Sequence, residues 1–247
     1  MTEKIFTKQL QVEACHVDRF GRCKPSMLLY FAQEAATGHC DVLGLSWDTM
    51  AEKNLFWAVI RTHVEVARLP MLDENITIRT WPMPTTRTAY PRAAEILDEE
   101  GNCLVKIHSL WVLMDSVNRS MVLPGKSGVV VDGVSFGTEA ATPGSIIPGQ
   151  REKSLSRIVG YTELDRNGHM NNTRYPEWAD DLLPAQFHRE HPVKEFTVCY
   201  LSEATENQQI DMLYGMENNS VFQVDGFDGQ TDEHGKKTRV FSVKMAF

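Results

Sequence analysis

The chain has 247 residues, of which 42% are hydrophobic, and its 25 basic and 33 acidic side chains give a formal net charge of −8. This length and apolar content suffice for one large core or two smaller ones, and the acidic balance argues against nucleic acid as a partner. Because no run of about 18 apolar residues occurs, no membrane span is predicted.

The N-terminal residues lack the apolar segment of a secretory signal peptide, which predicts a cytoplasmic protein. The five cysteines are an odd number without paired spacing, which is typical of reduced thiols. Cys199 lies in a strand-like run and is predicted to be a small core residue. His188 and His191 lack a third ligand nearby and the other histidines outside the motif below occur singly, so no metal or cofactor is predicted.

In chain order, the first predicted helix runs from Ser26 to about Leu43, with Gly44 as its stop. It is apolar nearly all round, which predicts burial on most sides, as for a helix wrapped by a sheet. Runs of β-branched and aromatic residues then predict four strands: Leu55–Ala67, Asn75–Trp81, Ala93–Leu97 and Cys103–Met114.

The segment Pro124–Gln150 separates the chain into two halves. Nine of its 27 residues are Gly or Pro and few are charged, which predicts a linker or a strand-poor crossover on the surface. The predicted organisation is therefore an N-terminal domain of residues 1–123, a linker of residues 124–150 and a C-terminal domain of residues 151–247.

The second half repeats the pattern of the first. Its helix is predicted to begin at an Asn171 or Asn172 cap, to bury Tyr175, Trp178 and Leu182, and to be interrupted by Pro184. Its predicted strands are Glu195–Leu201, Gln208–Glu217, Ser220–Phe227 and Thr238–Phe247.

An internal repeat connects the halves. Asp18-Arg19-Phe20-Gly21-Arg22 aligns with Asp165-Arg166-Asn167-Gly168-His169 at an offset of 147 residues, and the same offset places Phe31 on Trp178. The first copy has Phe20 and Arg22 where the second has Asn167 and His169. This difference predicts a single active site, in the second copy, although drift in a purely structural repeat would produce the same pattern.

The second copy of the loop carries the candidate chemistry. Asp165, Asn167 and His169 alternate, so in extended backbone their side chains point to one side, where N–H groups of the following helix would also be aimed. Such a place suits an acyl carbonyl. Asn-Gly is equally a turn signal on its own, and the loop residues are ordinary turn formers.

This loop, followed by Asn171, Asn172, Tyr175 and Trp178, resembles the active-site motif of acyl-acyl-carrier-protein thioesterases, the fatty-acyl hydrolases of plants and many bacteria. Glu203, 34 positions after His169, matches the downstream Glu of that family. The resemblance implies an α+β fold, a tandem pair of hotdog domains in which an antiparallel sheet wraps each long helix. In plant members a Cys follows the Glu; Ala204 stands there in this chain, which excludes a Cys nucleophile at that position.

The resemblance implies four catalytic residues: Asp165, Asn167, His169 and Glu203. Glu203 would activate water, His169 would orient water and substrate, Asn167 would hold the thioester and Asp165 would fix the imidazole. Direct attack by Glu203 on the carbonyl stays an alternative. The N–H groups of Met170 and Asn171 are predicted to contact the oxyanion, and the first copy to shape the acyl pocket.

The expected reaction is hydrolysis of fatty acyl-acyl carrier protein to free fatty acid. A hotdog acyl-CoA thioesterase, an enoyl-thioester hydratase or dehydratase, and a non-catalytic acyl-thioester sensor are the alternatives. The carrier is itself acidic, so docking requires a local basic patch. No membrane partner is expected, and a homodimer is compatible with the resemblance. The candidate docking residues are Arg151, Lys153, Arg157, Arg166, Arg174 and Lys194.

Overall fold

The structure, a computed structural model, describes residues 4–149 and 151–247. The start of the N-terminal segment and the last residue of the predicted linker lie outside the described residues. The chain divides into two compact units, Met1–Pro143 and Gly144–Phe247. Among the described residues, no helix combines the length and the apolar character needed to cross a membrane.

The first unit is built on an antiparallel sheet with strand order β1-β3-β4-β5-β2, and β6 also pairs with β5. The four strands predicted for this half are all present, each bound lying within three residues of the prediction. The strands of this unit are β1 Phe6–Gln11, β2 Leu55–Val66, β3 Asn75–Pro82, β4 Tyr90–Leu97, β5 Cys103–Asp115 and β6 Met121–Val122.

The main helix of the first unit, α1, spans Pro25–Val42 and packs on β1 and β3. Proline suits the first helical position because no N–H partner is needed there. A second helix, α2 (Trp47–Glu52), was not predicted. Its signal is Ser46, whose Oγ accepts the N–H of Thr49 at 3.2 Å. A single turn, α3, follows at Pro124–Ser127.

The second unit has the same architecture, with strand order β7-β9-β10-β11-β8. This order repeats that of the first unit strand for strand. The strands are β7 Lys153–Ile158, β8 Glu195–Tyr200, β9 Gln209–Asn218, β10 Val221–Thr231 and β11 Lys237–Ala246. Because β1 and β7 are offset by the predicted 147 residues, the internal repeat is confirmed.

The helix of the second unit is shorter than predicted. Helix α4 spans Arg174–Asp180, and a separate helix, α5, spans Ala185–Glu190. The prediction that α4 begins at Asn171 or Asn172 is wrong. The Asn171 carboxamide oxygen accepts the N–H and the hydroxyl of Thr173, at 3.0 and 2.9 Å. This local turn competes with helix formation for the backbone N–H of Thr173, so the helix begins later in the chain.

Helix α4 packs on β11, and its two large aromatic residues are buried as predicted. The rings of Tyr175 and Trp178 lie 4.8 and 6.5 Å from the ring of Phe241 in β11. The helix ends at Asp180, ahead of Pro184, which instead occupies the cap position before α5. An apolar helix face therefore covers one face of the sheet in this unit, as α1 does in the first.

Residues 128–149 contain no helix or strand. Most are exposed, but Val129, Ala140 and Ile146 are buried. The carbonyl of Ile146 accepts a hydrogen bond from Arg239 at 3.1 Å. The segment is therefore held in place by three buried side chains and by a hydrogen bond to β11, although it has no regular secondary structure.

Candidate active site

The loop between Leu164 and Met170 is shaped by one carboxylate. Asp165 Oδ1 accepts the N–H groups of Asn167 and His169 at 2.8 and 3.3 Å, and the N–H of Asp165 donates to the carbonyl of His169 at 2.7 Å. Gly168 closes the turn at φ 79°, a conformation that favours glycine. These bonds give Asp165 a role in shaping the loop. Its predicted direct contact with the imidazole stays a prediction.

His169 and Glu203 are brought together by the backbone. His169 forms a β-bridge with Thr205, and the N–H of Met170 donates to the carbonyl of Ala204 at 2.8 Å. The pairing places His169 Nε2 3.4 Å from Glu203 Oε2, with the two side chains 19% and 42% exposed. An imidazole and a carboxylate thus meet at a position that water reaches, as general acid–base chemistry requires.

The predicted oxyanion donors are used elsewhere. The N–H of Met170 is bonded to Ala204, and the N–H of Asn171 donates to the carbonyl of Glu163 at 2.8 Å. This prediction is therefore wrong, because both groups serve to hold the loop in place. Asn167 is exposed in the same loop, two residues before His169.

Tyr175, which the sequence predicted to be buried and which belongs to the stretch that resembles the family motif, lies near the charges of the loop. Burial raises the pKa of its hydroxyl above the usual range, and the negative charges of Asp165 and Glu203 raise that pKa further. The hydroxyl therefore stays protonated at any physiological pH. Apart from that resemblance, no pattern in the sequence distinguishes this buried tyrosine from an ordinary helix-packing residue.

Cys199 is 1% exposed, and its thiol bonds to the carbonyl of Gly144 at 3.6 Å, which confirms it as a core residue. It pairs with Ser242, whereas the neighbouring Phe241 contacts α4. Because side chains alternate along a strand, Cys199 lies on the sheet face away from α4. Ala204, at the position of the plant cysteine, is fully buried.

The first unit contains the same loop without the acid–base pair. Asp18 Oδ1 accepts the N–H groups of Phe20 and Arg22 at 2.8 and 3.0 Å, and Gly21 has a φ of 76°. The guanidinium of Arg22 bonds to the Asp18 carboxylate at 3.2 Å and lies 4.9 Å from the Phe20 ring. The loop geometry is thus a property of the repeat, and the pairing of His169 with Glu203 belongs to the second copy.

One group of potential metal ligands occurs among the described residues, at Glu13, Cys15 and His16 in the first unit. The imidazole Nδ1 of His16 accepts the N–H of Glu13 at 3.0 Å, so one ring nitrogen already has a partner within the turn.

The candidate docking cations differ in their surroundings. Arg151, Arg157 and Arg174 are ion-paired with Glu217, Asp181 and Glu177 at 3.0, 2.8 and 2.7 Å. Lys153, Arg166 and Lys194 are exposed. The basic patch expected from the sequence is therefore partly neutralised by neighbouring carboxylates.

Comparisons with known proteins match two family domains to this chain. Residues 3–123 match the acyl-ACP thioesterase N-terminal domain, and residues 149–240 match the acyl-ACP thioesterase C-terminal domain. The chloroplastic dodecanoyl-[acyl-carrier-protein] hydrolase of Cinnamomum camphora is 25% identical over 199 residues, covering 73% of this chain and 51% of that protein. The oleoyl-acyl carrier protein thioesterase of Coriandrum sativum is 27% identical, covering 73% of this chain and 54% of that protein. The chain spans about half the length of these curated relatives.

Solved structures confirm the fold. An acyl-ACP thioesterase from Bacteroides thetaiotaomicron superposes with a TM-score of 0.82 at 23% identity, covering 99% of this chain and 98% of that chain. The 12:0-ACP thioesterase of Umbellularia californica superposes with a TM-score of 0.83 at 20% identity, covering 100% and 98%. The predicted α+β tandem hotdog fold is thereby confirmed, with a short helix in the second copy. Together, the two domain matches establish that the chain belongs to the acyl-ACP thioesterase family.

Proposed function

We propose that this protein hydrolyses the thioester of fatty acyl-acyl carrier protein and releases a free fatty acid. The observation that carries the proposal is the 3.4 Å approach of His169 Nε2 to Glu203 Oε2 on the family's loop. The printed names of the plant relatives, dodecanoyl- and oleoyl-acyl carrier protein hydrolases, support the same substrate class.

The chemistry requires few groups, because a thioester already has a good leaving group. Glu203 accepts a proton from water while the water oxygen bonds to the carbonyl carbon. The C–S bond then breaks, and the leaving thiolate takes up the proton held by Glu203, which regenerates the carboxylate. The partial exposure of Glu203 supports access of water to its carboxylate. His169, beside that carboxylate, orients the water and the substrate.

The carbonyl oxygen needs a hydrogen-bond donor as negative charge develops on it. Because the N–H groups of Met170 and Asn171 are bonded within the protein, we assign this contact to the carboxamide of Asn167. Asp165 supports this arrangement by holding the backbone of both Asn167 and His169.

We further propose the organisation expected from the sequence. Residues 1–123 form the copy that shapes the acyl pocket, residues 124–150 the linker, and residues 151–247 the catalytic copy. The carrier protein is the partner and the cytoplasm the compartment. Assembly as a homodimer is compatible with this organisation.

The test is a direct comparison of three thioesters of equal chain length. Purified protein is incubated with acyl-ACP, acyl-CoA and enoyl-CoA while thiol release and enoyl absorbance are recorded. Thiol release with the highest kcat/KM on acyl-ACP supports the proposal. A higher kcat/KM on acyl-CoA would contradict the proposal and indicate an acyl-CoA thioesterase. Loss of enoyl absorbance without thiol release would indicate a hydratase.

A further inference from the structure

Glu163 joins three parts of the second unit that surround the catalytic loop. It is the last residue of the short 3-10 turn Tyr161–Glu163. Its Oε2 accepts the N–H of Gly160 at 2.8 Å and its Oε1 accepts the indole N–H of Trp178 at 2.6 Å. Its backbone carbonyl accepts the N–H of Asn171 at 2.8 Å. One residue therefore bonds to the turn before the loop, to the residue after it and to helix α4.

The loop is fixed on its other side by the strand connection that carries Glu203. The N–H of Met170 donates to Ala204, and His169 forms a bridge with Thr205. Met170 and Asn171 are consecutive. The N–H of the first therefore bonds to Ala204, next to Glu203, and the N–H of the second bonds to Glu163. A change in the position of Glu163 is thereby passed to His169 across two peptide units.

The first copy has the equivalent backbone bonds: the N–H of Cys23 donates to the carbonyl of Pro70 at 2.8 Å, and the N–H of Lys24 donates to the carbonyl of His16 at 3.0 Å.

The first copy differs in the side chains of its turn and helix. His16 occupies the position equivalent to Glu163, and its Nδ1 accepts the N–H of Glu13 at 3.0 Å. Its other neighbour is Phe31, the equivalent of Trp178, whose ring meets the imidazole edge-on at 5.0 Å. Phenylalanine has no side-chain donor, so Phe31 cannot form the bond that Trp178 makes with Glu163. This side-chain bond between turn and helix therefore distinguishes the copy that carries the His169–Glu203 pair.

A cation, which is also paired with Asp181 at 2.8 Å, lies beside the contact in the second copy. The guanidinium of Arg157 lies 4.7 Å from the Trp178 ring centroid and 3.9 Å from Glu163 Oε1. Trp178 is 1% exposed and the Glu163 side chain 18% exposed. Hydrogen bonds to a charged acceptor in such a sheltered place are stronger than those between neutral groups.

We infer that Glu163 is a positioning residue, which holds His169 at its working distance from Glu203 through Trp178 and Asn171. The inference rests on the proposed hydrolysis for its kinetic consequences and on the hydrogen bonds for its structural ones. Glu163 contacts no reacting atom.

Three variants test this role: Glu163→Ala, Glu163→Gln and Trp178→Phe, the last giving the second copy the residue of the first. At a temperature well below each variant's Tm, kcat should fall about tenfold in Trp178→Phe and Glu163→Gln, and further in Glu163→Ala, with KM within about twofold. The double variant Glu163→Ala/Trp178→Phe should be no slower than Glu163→Ala, because Glu163→Ala already removes the bond that Trp178→Phe removes.

The control is Glu177→Gln, which removes a carboxylate from the same helix that is paired with Arg174. It should retain kcat within about twofold. If all three test variants match this control in kcat, the inference is overturned. The same holds if the two single changes multiply in the double variant.

Amide hydrogen exchange separates this inference from the proposed function. In Glu163→Ala, the amides of Met170 and Asn171 should exchange at least about tenfold faster than in the wild type, whether or not the protein hydrolyses thioesters. Unchanged exchange at both amides contradicts the positioning role. Inactivity of the wild type contradicts the proposed function alone.

Discussion

His169 and Glu203 form a contact that should contribute little to stability, whatever its part in the proposed chemistry. Their side chains are 19% and 42% exposed at a separation of 3.4 Å. Exposed pairs of this kind contribute roughly 0–1 kcal/mol to folding, because water screens the attraction and two side chains lose freedom. Removing either group should therefore leave the fold intact.

We expect His169→Ala and Glu203→Gln each to lower kcat for thioester hydrolysis by on the order of 10² or more, since each removes an acid–base group. Thermal unfolding should show nearly unchanged Tm. The matched control is Glu206→Gln, an exposed carboxylate three residues further along. Turnover close to wild type in either test variant would remove that residue from the mechanism.

Cys199→Ser should leave kcat within a few-fold of wild type. The side chain lies on the sheet face away from α4, and serine retains a donor for the carbonyl of Gly144. Steady-state kinetics and mass spectrometry of the enzyme during turnover check this expectation. An acyl adduct on Cys199, or an inactive but folded variant, would reverse the assignment.

At the scale of the element, the same loop occurs twice with different side chains. Asp165 and Asp18 each bond two backbone N–H groups, and Gly168 and Gly21 both adopt positive φ. The loop conformation is thus common to both copies of the repeat, and His169 is present only in the second. A substitution at Gly21 can therefore serve as the control for the backbone strain that the same substitution introduces at Gly168.

Gly168→Ala should destabilise the protein by about 1–2 kcal/mol, because no atom crowds the new Cβ but the left-handed conformation disfavours alanine. Gly21→Ala, at φ 76°, should cost a similar amount. Chemical denaturation measures both. Only Gly168→Ala should also lower kcat, so equal activity losses in the two variants would indicate a general effect of destabilisation.

Arg92 on β4 is a second element-scale feature, a half-buried cation whose guanidinium bonds to a histidine and a threonine rather than to a carboxylate. Its Nη1 lies 3.2 Å from His39 Nδ1 and 3.3 Å from Thr80 Oγ1. Burial lowers the pKa of the guanidinium below its usual range. A charge in such a place costs free energy that two neutral hydrogen bonds only partly offset.

We therefore expect Arg92→Met to unfold at the same temperature as the wild type or above it, because the substitution removes a desolvated charge while keeping an unbranched side chain. Thr80 Oγ1 donates to the carbonyl of Ala93 at 2.8 Å, a bond that does not involve Arg92 and that the substitution should leave in place. Differential scanning calorimetry provides the measurement. A Tm several degrees below that of the wild type would show that the bond to His39 outweighs the desolvation.

At the scale of the whole molecule, the net charge of −8 would repel the acidic carrier that we propose as the partner. Arg151, Arg157 and Arg174, which the sequence offered as docking cations, are paired with carboxylates of the same unit. Their charge is therefore partly cancelled, and long-range repulsion should dominate the approach of the carrier.

For this reason kcat/KM on acyl-ACP should rise as salt is raised from about 0.01 M to about 0.1 M, where the Debye length shortens from about 30 Å to about 10 Å. A short acyl-pantetheine, which lacks the protein, should show little dependence on salt. Stopped assays across the salt series measure both. A fall in kcat/KM on acyl-ACP would instead indicate a cationic docking patch, with Lys153, Arg166 and Lys194 as the first residues to substitute.

Local patterns in the sequence determined most of the fold. Most bounds of the eight predicted strands, the repeat at 147 residues and the main helix α1 follow from side-chain alternation and from Pro and Gly, which act within a few residues. The tight loop at Asp165 belongs to this class, because its turn is closed by bonds inside five residues.

Only the tertiary structure decided how the site is assembled. The contact of His169 with Glu203 depends on the bridge between His169 and Thr205. The N–H of Met170 cannot contact an oxyanion because it donates to the carbonyl of Ala204. The late start of α4 reflects a side-chain bond of Asn171 that competes with the helix. Such contacts join residues far apart in the chain or are settled by small differences between competing hydrogen bonds, and neither is encoded in the periodicity of the sequence.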